Sequence, residues 1–153
     1  MPIASSRATR ASQVTLTPSH ATMKKIIIDT NFLMIPYKFR VDIFSEINRV
    51  CSFNYRLFIM EKTVEELKGI IKNQPRKDKK AAQFALKLIG LKNIGTIPSK
   101  ENDVDSAILQ AAGKDTVVAT QDVFLKRQLA EKGASVIWMR QKKYLQYSEG
   151  KPA

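Results

Sequence analysis

Four carboxylates stand where chemistry can be done: Asp29, Glu66, Asp105 and Asp122. Asp29 closes the unbroken run Ile26-Ile27-Ile28, and such a run reads as a strand buried on both faces of a parallel sheet. In open α/β sheets the ligand crevice lies outside the carboxyl ends of the strands, which places Asp29, with Thr30 and Asn31, at its edge. Asp122 follows the strand-like segment Thr-Val-Val-Ala-Thr-Gln at 116–121, and Asp105 falls in the first turn of a helix opening at Asn102 or Asp103. Glu66, beside Glu65, lies on the helix after the second strand. Strand ends and following helix starts share one rim, so these acids are expected to meet. Carboxylates packed together repel unless a cation neutralises them, so the cluster predicts Mg²⁺ or Mn²⁺.

Each acid also has a plainer structural use. Asp103 and Asp105 suit a helix N-terminus, Asp122 suits a cap, and Glu65 and Glu66 suit a solvated helix face. Asp29 is harder to explain that way, because an aspartate ending a buried triple-isoleucine strand needs a partner.

The rest of the composition narrows the chemistry. The 153 residues carry 26 Lys and Arg against 14 Asp and Glu, a net charge of +12, which favours a polyanionic partner, above all nucleic acid. Cys51 is the only cysteine and His20 the only histidine. A disulfide framework, a multi-cysteine zinc site, a Ser-His-Asp triad and a Cys-His pair are therefore excluded. The lone cysteine fits a reducing, cytoplasmic setting. Nine Lys or Arg stand against one acid between Lys68 and Lys100, centred on Arg76, Lys77, Lys79 and Lys80. They read either as a solvated face or as an arm that grips phosphates. Lys126, Arg127, Arg140, Lys142 and Lys143, with Tyr144 and Tyr147 nearby, suit a second RNA-binding surface, while Trp138 reads as core.

The elements that must position these groups alternate. Strands are expected at 26–28, 56–60, 94–97, 116–119 and 135–139, with helices over 41–50, 61–71, 81–91, 102–112 and 122–132. Residues 36–40 read as a connection and 73–80 as a charged turn. Gly133 reads as a helix stop. The pattern predicts an α/β three-layer sandwich around a mostly parallel five-stranded sheet. Residues 1–22, rich in Ser, Thr and Ala, read as a disordered extension, 23–147 as a single folded domain and 148–153 as a short tail. The extension has a transit-peptide-like composition, and the plainer reading, a dispensable extension before Met23, is preferred.

In order and spacing, IIIDTNFLMIP, TVEELKGI, NDVDSAIL and VVATQDVFLKRQL resemble the successive motifs of PIN-domain nucleases. More narrowly, DTNFLMIPYKFRVDIF and VIWMRQKKYL resemble archaeal PIN proteins related to the nuclease of eukaryotic small-subunit rRNA processing. The resemblance spans Lys24 to Leu145. It implies a PIN-like fold with Asp29, Glu66, Asp105 and Asp122 as catalytic and metal-holding residues, supported by Thr30, Asn31 and Thr120. It further implies endonucleolytic cleavage of single-stranded RNA by one or two Mg²⁺ or Mn²⁺ ions, leaving 5′-phosphate and 3′-hydroxyl ends. Gln121 stands where the family commonly has asparagine, and Ser106 where some relatives carry a further aspartate. The leading expectation is rRNA maturation, with an rRNA precursor as partner and a homodimer as one arrangement to expect. The alternatives are a toxin-type PIN ribonuclease with a protein inhibitor, and a weakly active PIN domain serving as an RNA-binding assembly factor. A phosphoaspartate receiver, an Asp-x-Asp phosphatase and a P-loop nucleotidase all lack their required residues here.

Overall fold

The computed structural model describes residues 23–151; the expected N-terminal extension lies outside the described residues. Strand β1 (Lys24–Ile28) runs through the middle of the molecule. Its three isoleucines are all fully buried but point alternately, Ile26 and Ile28 into one core and Ile27 into the other. That alternation explains why the run shows no polar residue: both faces are covered by helices.

Two short helices follow, α1 (Thr30–Leu33) and α2 (Ile35–Phe39), in the segment expected to be a plain connection. Asp29 caps α1, and Pro36 sits in the first turn of α2, where a missing N–H costs nothing. Helix α3 (Ile43–Val50) is capped by Asp42, whose carboxylate accepts from the amides of Phe44 and Ser45. Strand β2 (Tyr55–Met60) leads directly into α4 (Glu61–Asn73), which turns at Gln74 and Pro75 into α5 (Arg76–Leu91). The expected turn at 73–80 is thus mostly helix, with only Gln74 and Pro75 outside one. Proline at 75 forces Gln74 extended and ends α4, yet Pro75 itself is a good entry to the next helix. The basic run hid that entry because the apolar face of α5 begins only at Ala81 and Ala82. Phe84, expected inward, is 39% exposed, with its ring 6.1 Å from that of Tyr37 between centroids.

The second half adds β3 (Gly95–Ile97), α6 (Val104–Ala111), β4 (Thr116–Ala119), α7 (Val123–Glu131), β5 (Ser135–Arg140) and β6 (Tyr144–Ser148). Gly133, at φ +79°, ends the turn after α7 as its position suggested. The sheet has six strands rather than five, in the order β3-β2-β1-β4-β5-β6. The first five are parallel, and β6 is antiparallel to β5. Strand β6 occupies the segment read as a basic and aromatic ending, and it runs to Ser148. Only Leu145 of its five residues is buried, so its apolar signal is a single residue. Besides the ladder to β5 and the Tyr147 ring packed against the core, two partners remote in sequence hold it. Glu46 accepts from the Leu145 amide at 2.9 Å, and Arg49 donates to the Leu145 carbonyl at 2.9 Å.

The β5–β6 connection is a tight turn with Gln141 and Lys142 both left-handed, at φ 53° and 54°, closed by the Lys143 amide donating to Arg140 O at 3.0 Å. Such a turn normally takes Asn-Gly. Side chains that carry a Cβ cost about 1–2 kcal/mol each in this conformation.

The helices divide between the two faces. Buried side chains of α1–α5 pack with Ile26, Leu57, Val117 and Ile137 on one face. Those of α6 and α7 pack with Ile27, Val118 and Val136 on the other. The chain leaves β1 toward β2 and β3 on one side and later fills β4 and β5 on the other. The reversal of strand order falls between β1 and β4, where a ligand crevice is expected.

Candidate active site

Asp29 and Thr120 meet across that reversal point. Asp29 stands just past β1 and Thr120 just past β4, and the Asp29 amide donates to Ala119 O at 2.9 Å. The Thr120 hydroxyl donates to Asp29 Oδ2 at 2.7 Å, and the Thr30 amide donates to Asp29 Oδ1 at 2.8 Å. Thr120 Oγ1 in turn accepts from the Asp122 amide at 3.1 Å. One hydroxyl therefore uses its proton on Asp29 and a lone pair on the backbone of Asp122, which fixes its orientation. Asp29 is only 4% exposed and Thr120 is fully buried.

Burial is the largest influence on Asp29 and pushes its carboxyl up from 3.8 to about 6. The charges of Asp105 and Glu66 push it the same way, while the hydrogen bonds from Thr120 and Thr30 offset part of the rise. Asp105, in the first turn of α6, is also raised, first by burial and then by Asp122, Asp103 and Glu66. The charges of Asp105 and Glu66 thus reach Asp29, and that of Asp122 reaches Asp105. Glu66 itself is exposed on α4, and Asp122 is half-buried.

The plainer uses of these acids are real as well. Asp122 caps α7 by accepting from the Leu125 amide at 3.1 Å, and Asp103 caps α6 by accepting from the Ser106 amide at 2.7 Å. The cap engages Asp122 Oδ1.

Among the described residues, no three Asp, Glu, His or Cys side chains close on a common point as a metal cage does. The donor set still suits a hard divalent cation. It is all oxygen, its central carboxylate is buried without a cationic side chain beside it in the bonds above, and the Thr30 hydroxyl next to it is buried with no hydrogen-bond partner. Mg²⁺ typically binds through one or two carboxylates while keeping waters and substrate phosphate oxygens, so it needs no closed cage.

Of the remaining residues singled out, Asn31 is exposed on α1. Gln121 is exposed too, and its side-chain carbonyl accepts from the Met139 amide at the end of β5. An asparagine would be one methylene shorter, so this link from rim to β5 belongs to the glutamine. The basic residues fall into separate groups. Arg76, Lys77, Lys79 and Lys80 crowd the first turns of α5. Lys142 and Lys143 sit at the hairpin, and Arg140, just before it, donates to Gln146 Oε1 at 3.0 Å. Arg127 lies over the Phe124 ring at 5.9 Å. Lys126 instead packs over Trp138, 4.1 Å from the ring centroid, and burial lowers its pKa. Trp138, expected in the core, is half-buried under that lysine. Sequence reasoning passed over Lys38, Phe39, Met139 and Gln141, which line a cleft beside the rim. Their assembly depends on α2 meeting the β5–β6 hairpin, and no local pattern announces it.

The family model described as a PIN like domain matches residues 26–142. The chain is 34% identical over 126 residues to Ribonuclease VapC4 of Methanocaldococcus jannaschii, covering 81% of this chain and 96% of that protein. It is 29% identical over 119 residues to Ribonuclease VapC9 of Archaeoglobus fulgidus, covering 76% and 84%. Among solved structures it resembles the PIN domain endonuclease Utp24 with a TM-score of 0.68 at 19% identity, over 82% of this chain and 91% of that one. A domain of a functionally unknown Methanocaldococcus jannaschii protein matches with a TM-score of 0.52 at 15% identity, over 85% and 96%. At these identities the structural matches speak to fold. With its sheet order, its buried Asp29 and a family match spanning three quarters of its length, the chain belongs to the PIN-like domain family.

Proposed function

We propose that the protein is a divalent-metal-dependent endoribonuclease. The observation that carries this reading is Asp29, buried at the strand-order reversal, oriented by Thr120 and Thr30, and surrounded by the charges of Asp105, Glu66 and, through Asp105, Asp122. Asp29, Glu66, Asp105 and Asp122 would hold Mg²⁺ or Mn²⁺. A cation bound there supplies Lewis-acid polarisation of the scissile phosphate and an acidified water as nucleophile.

The chain's own residues do the rest. Thr120 turns Asp29 Oδ2 toward a set direction and ties it to the start of α7. Burial keeps bulk water off the Asp29 carboxylate. The basic residues of α5 and the hairpin draw and hold the phosphate backbone against an acidic rim that would otherwise repel it.

The relatives bear on the biological role. The two curated relatives described above, at 34% and 29% identity, are named VapC ribonucleases. They support a toxin-type ribonuclease partnered by a protein inhibitor, the alternative reading above, over the expected role in rRNA maturation. The likeness to Utp24 is one of fold and does not tip the balance back.

The test is cleavage of labelled single-stranded RNA with Mn²⁺, Mg²⁺ or EDTA, wild type beside Asp29→Asn. Cutting that needs the metal and falls by about 10²-fold or more in the variant is expected, the order seen when a group that stabilises transition-state charge is lost. Equal activity in the two proteins, or cutting that survives EDTA, overturns the reading.

A further inference from the structure

A cleft of about 500 Å³ adjoins the acidic rim, between α2 and the β5–β6 hairpin. That is within the roughly 300–1,000 Å³ range of small-ligand sites. Asn31 and Gln121 form the wall it shares with the rim: Asn31 lies two residues after Asp29, and Gln121 directly before Asp122. Ile35, Phe39 and Met139 supply an apolar lining. Phe39, at the end of α2, is 38% exposed, unusual for a phenylalanine with a core next to it.

The polar groups are set for recognition. Gln121 Oε1 is engaged by the Met139 amide, and only the oxygen can accept there, so the orientation of the amide is fixed and its NH₂ is left to donate. Gln141 adds a second amide from the left-handed hairpin position, where only a tight turn brings it to the cleft. Lys142, also left-handed, holds its ammonium 5.8 Å from the Phe39 ring centroid. Lys38 lines the cleft as well but is paired with Asp78 at 2.7 Å, which leaves Lys142 as the better placed cation for a phosphate.

We propose that this cleft is a nucleotide subsite: one unpaired RNA base packs on Phe39 and Met139, its edge is read by the Gln121 and Gln141 amides, and its phosphate is met by Lys142. The proposal rests on the ribonuclease reading and adds to it a source of base preference next to the cut. Flat apolar contact, fixed amides and one cation are what an unstacked nucleotide needs. A peptide arm from a protein partner would use the apolar lining but would not need two amides and a cation beside a phosphate-cleaving rim.

The experiment uses the full chain carrying Asp29→Asn, so that RNA is bound without being cut. Affinity is measured by fluorescence anisotropy for single-stranded RNA octamers that differ at one position at a time. At one position the four bases should differ by about tenfold between best and worst, the order of one amide pairing with a base edge. Adding Gln121→Ala should shrink that spread to within about twofold, and Phe39→Ala should weaken binding of every base at that position, purines most. Lys77→Ala, on α5, should lower affinity for all octamers alike and leave the ratio between bases intact. Binding without base preference, or a preference that survives both Gln121→Ala and Phe39→Ala, overturns the subsite while leaving the nuclease reading in place. Failure to bind any octamer overturns both.

Discussion

At the scale of single residues, Asp29 is held where a charge is costly. Its two oxygens each receive one hydrogen bond, yet burial and the neighbouring acids outweigh them. The consequence for stability has a definite sign. Below pH 3.8 the carboxyl is protonated in both folded and unfolded chains. Between 3.8 and about 6 the folded chain keeps the proton that the unfolded chain releases, and above 6 the buried charge is fully formed. The stability linked to this proton is therefore present in acid and lost as pH rises through 6, by about 3 kcal/mol in metal-free protein. Chemical denaturation of wild type and Asp29→Asn in EDTA from pH 4 to pH 7.5 checks it. The difference between them should move by roughly that amount in favour of the variant, whatever its constant offset. A pH-independent difference would refute the account, and added Mg²⁺ should recover stability for the wild type alone.

At the scale of elements, β6 shows how a strand with one buried residue keeps its place. Glu46 and Arg49 of α3 pair with each other at 2.8 Å and with both backbone groups of Leu145. An isolated surface ion pair contributes little, but here removal of Glu46 leaves a partly buried amide unpaired. Glu46→Ala should cost about 1–2 kcal/mol in urea unfolding. It should also speed amide exchange in β6 ahead of β1 and β4. Uniform exchange across the sheet would show that β6 is held by other means. Because Gln141 and Lys142 sit between β5 and β6, this strap also steadies the cleft proposed to receive a base.

At the scale of the whole molecule, an excess of twelve positive charges surrounds a rim of acids. Arg76, Lys77, Lys79 and Lys80 concentrate at the N-terminus of α5, where the helix dipole disfavours cations. A placement that works against the helix points to a use outside it. Replacing Arg76, Lys77 and Lys80 with alanine should leave the melting temperature equal or higher. It should also weaken RNA binding and reduce the slope of log K against log salt by about 2, at ~0.7 per phosphate contact on a single strand. An unchanged slope would mean that these residues face only solvent.

Much of this was legible from composition and pattern. The triple-isoleucine strand, the alternation of strands and helices, and the acids near strand ends or helix starts are local features, and local periodicity reports burial directly. What escaped was whatever depended on distant partners. Strand β6 carries little apolar signal, with Leu145 alone buried and its backbone also bonded by Glu46 and Arg49, and the first turns of α5 read as a loop because their side chains are all charged. The candidate site divides the same way. Which residues carry carboxylates is written in the chain, and the parallel sheet sets Asp29 just past β1 and Thr120 just past the neighbouring β4. That Thr120 would turn Asp29, that Gln121 would reach across to Met139, and that Phe39 would stay exposed beside them were decided by packing. Those contacts join segments 18 to 91 residues apart, and no window of sequence contains both partners.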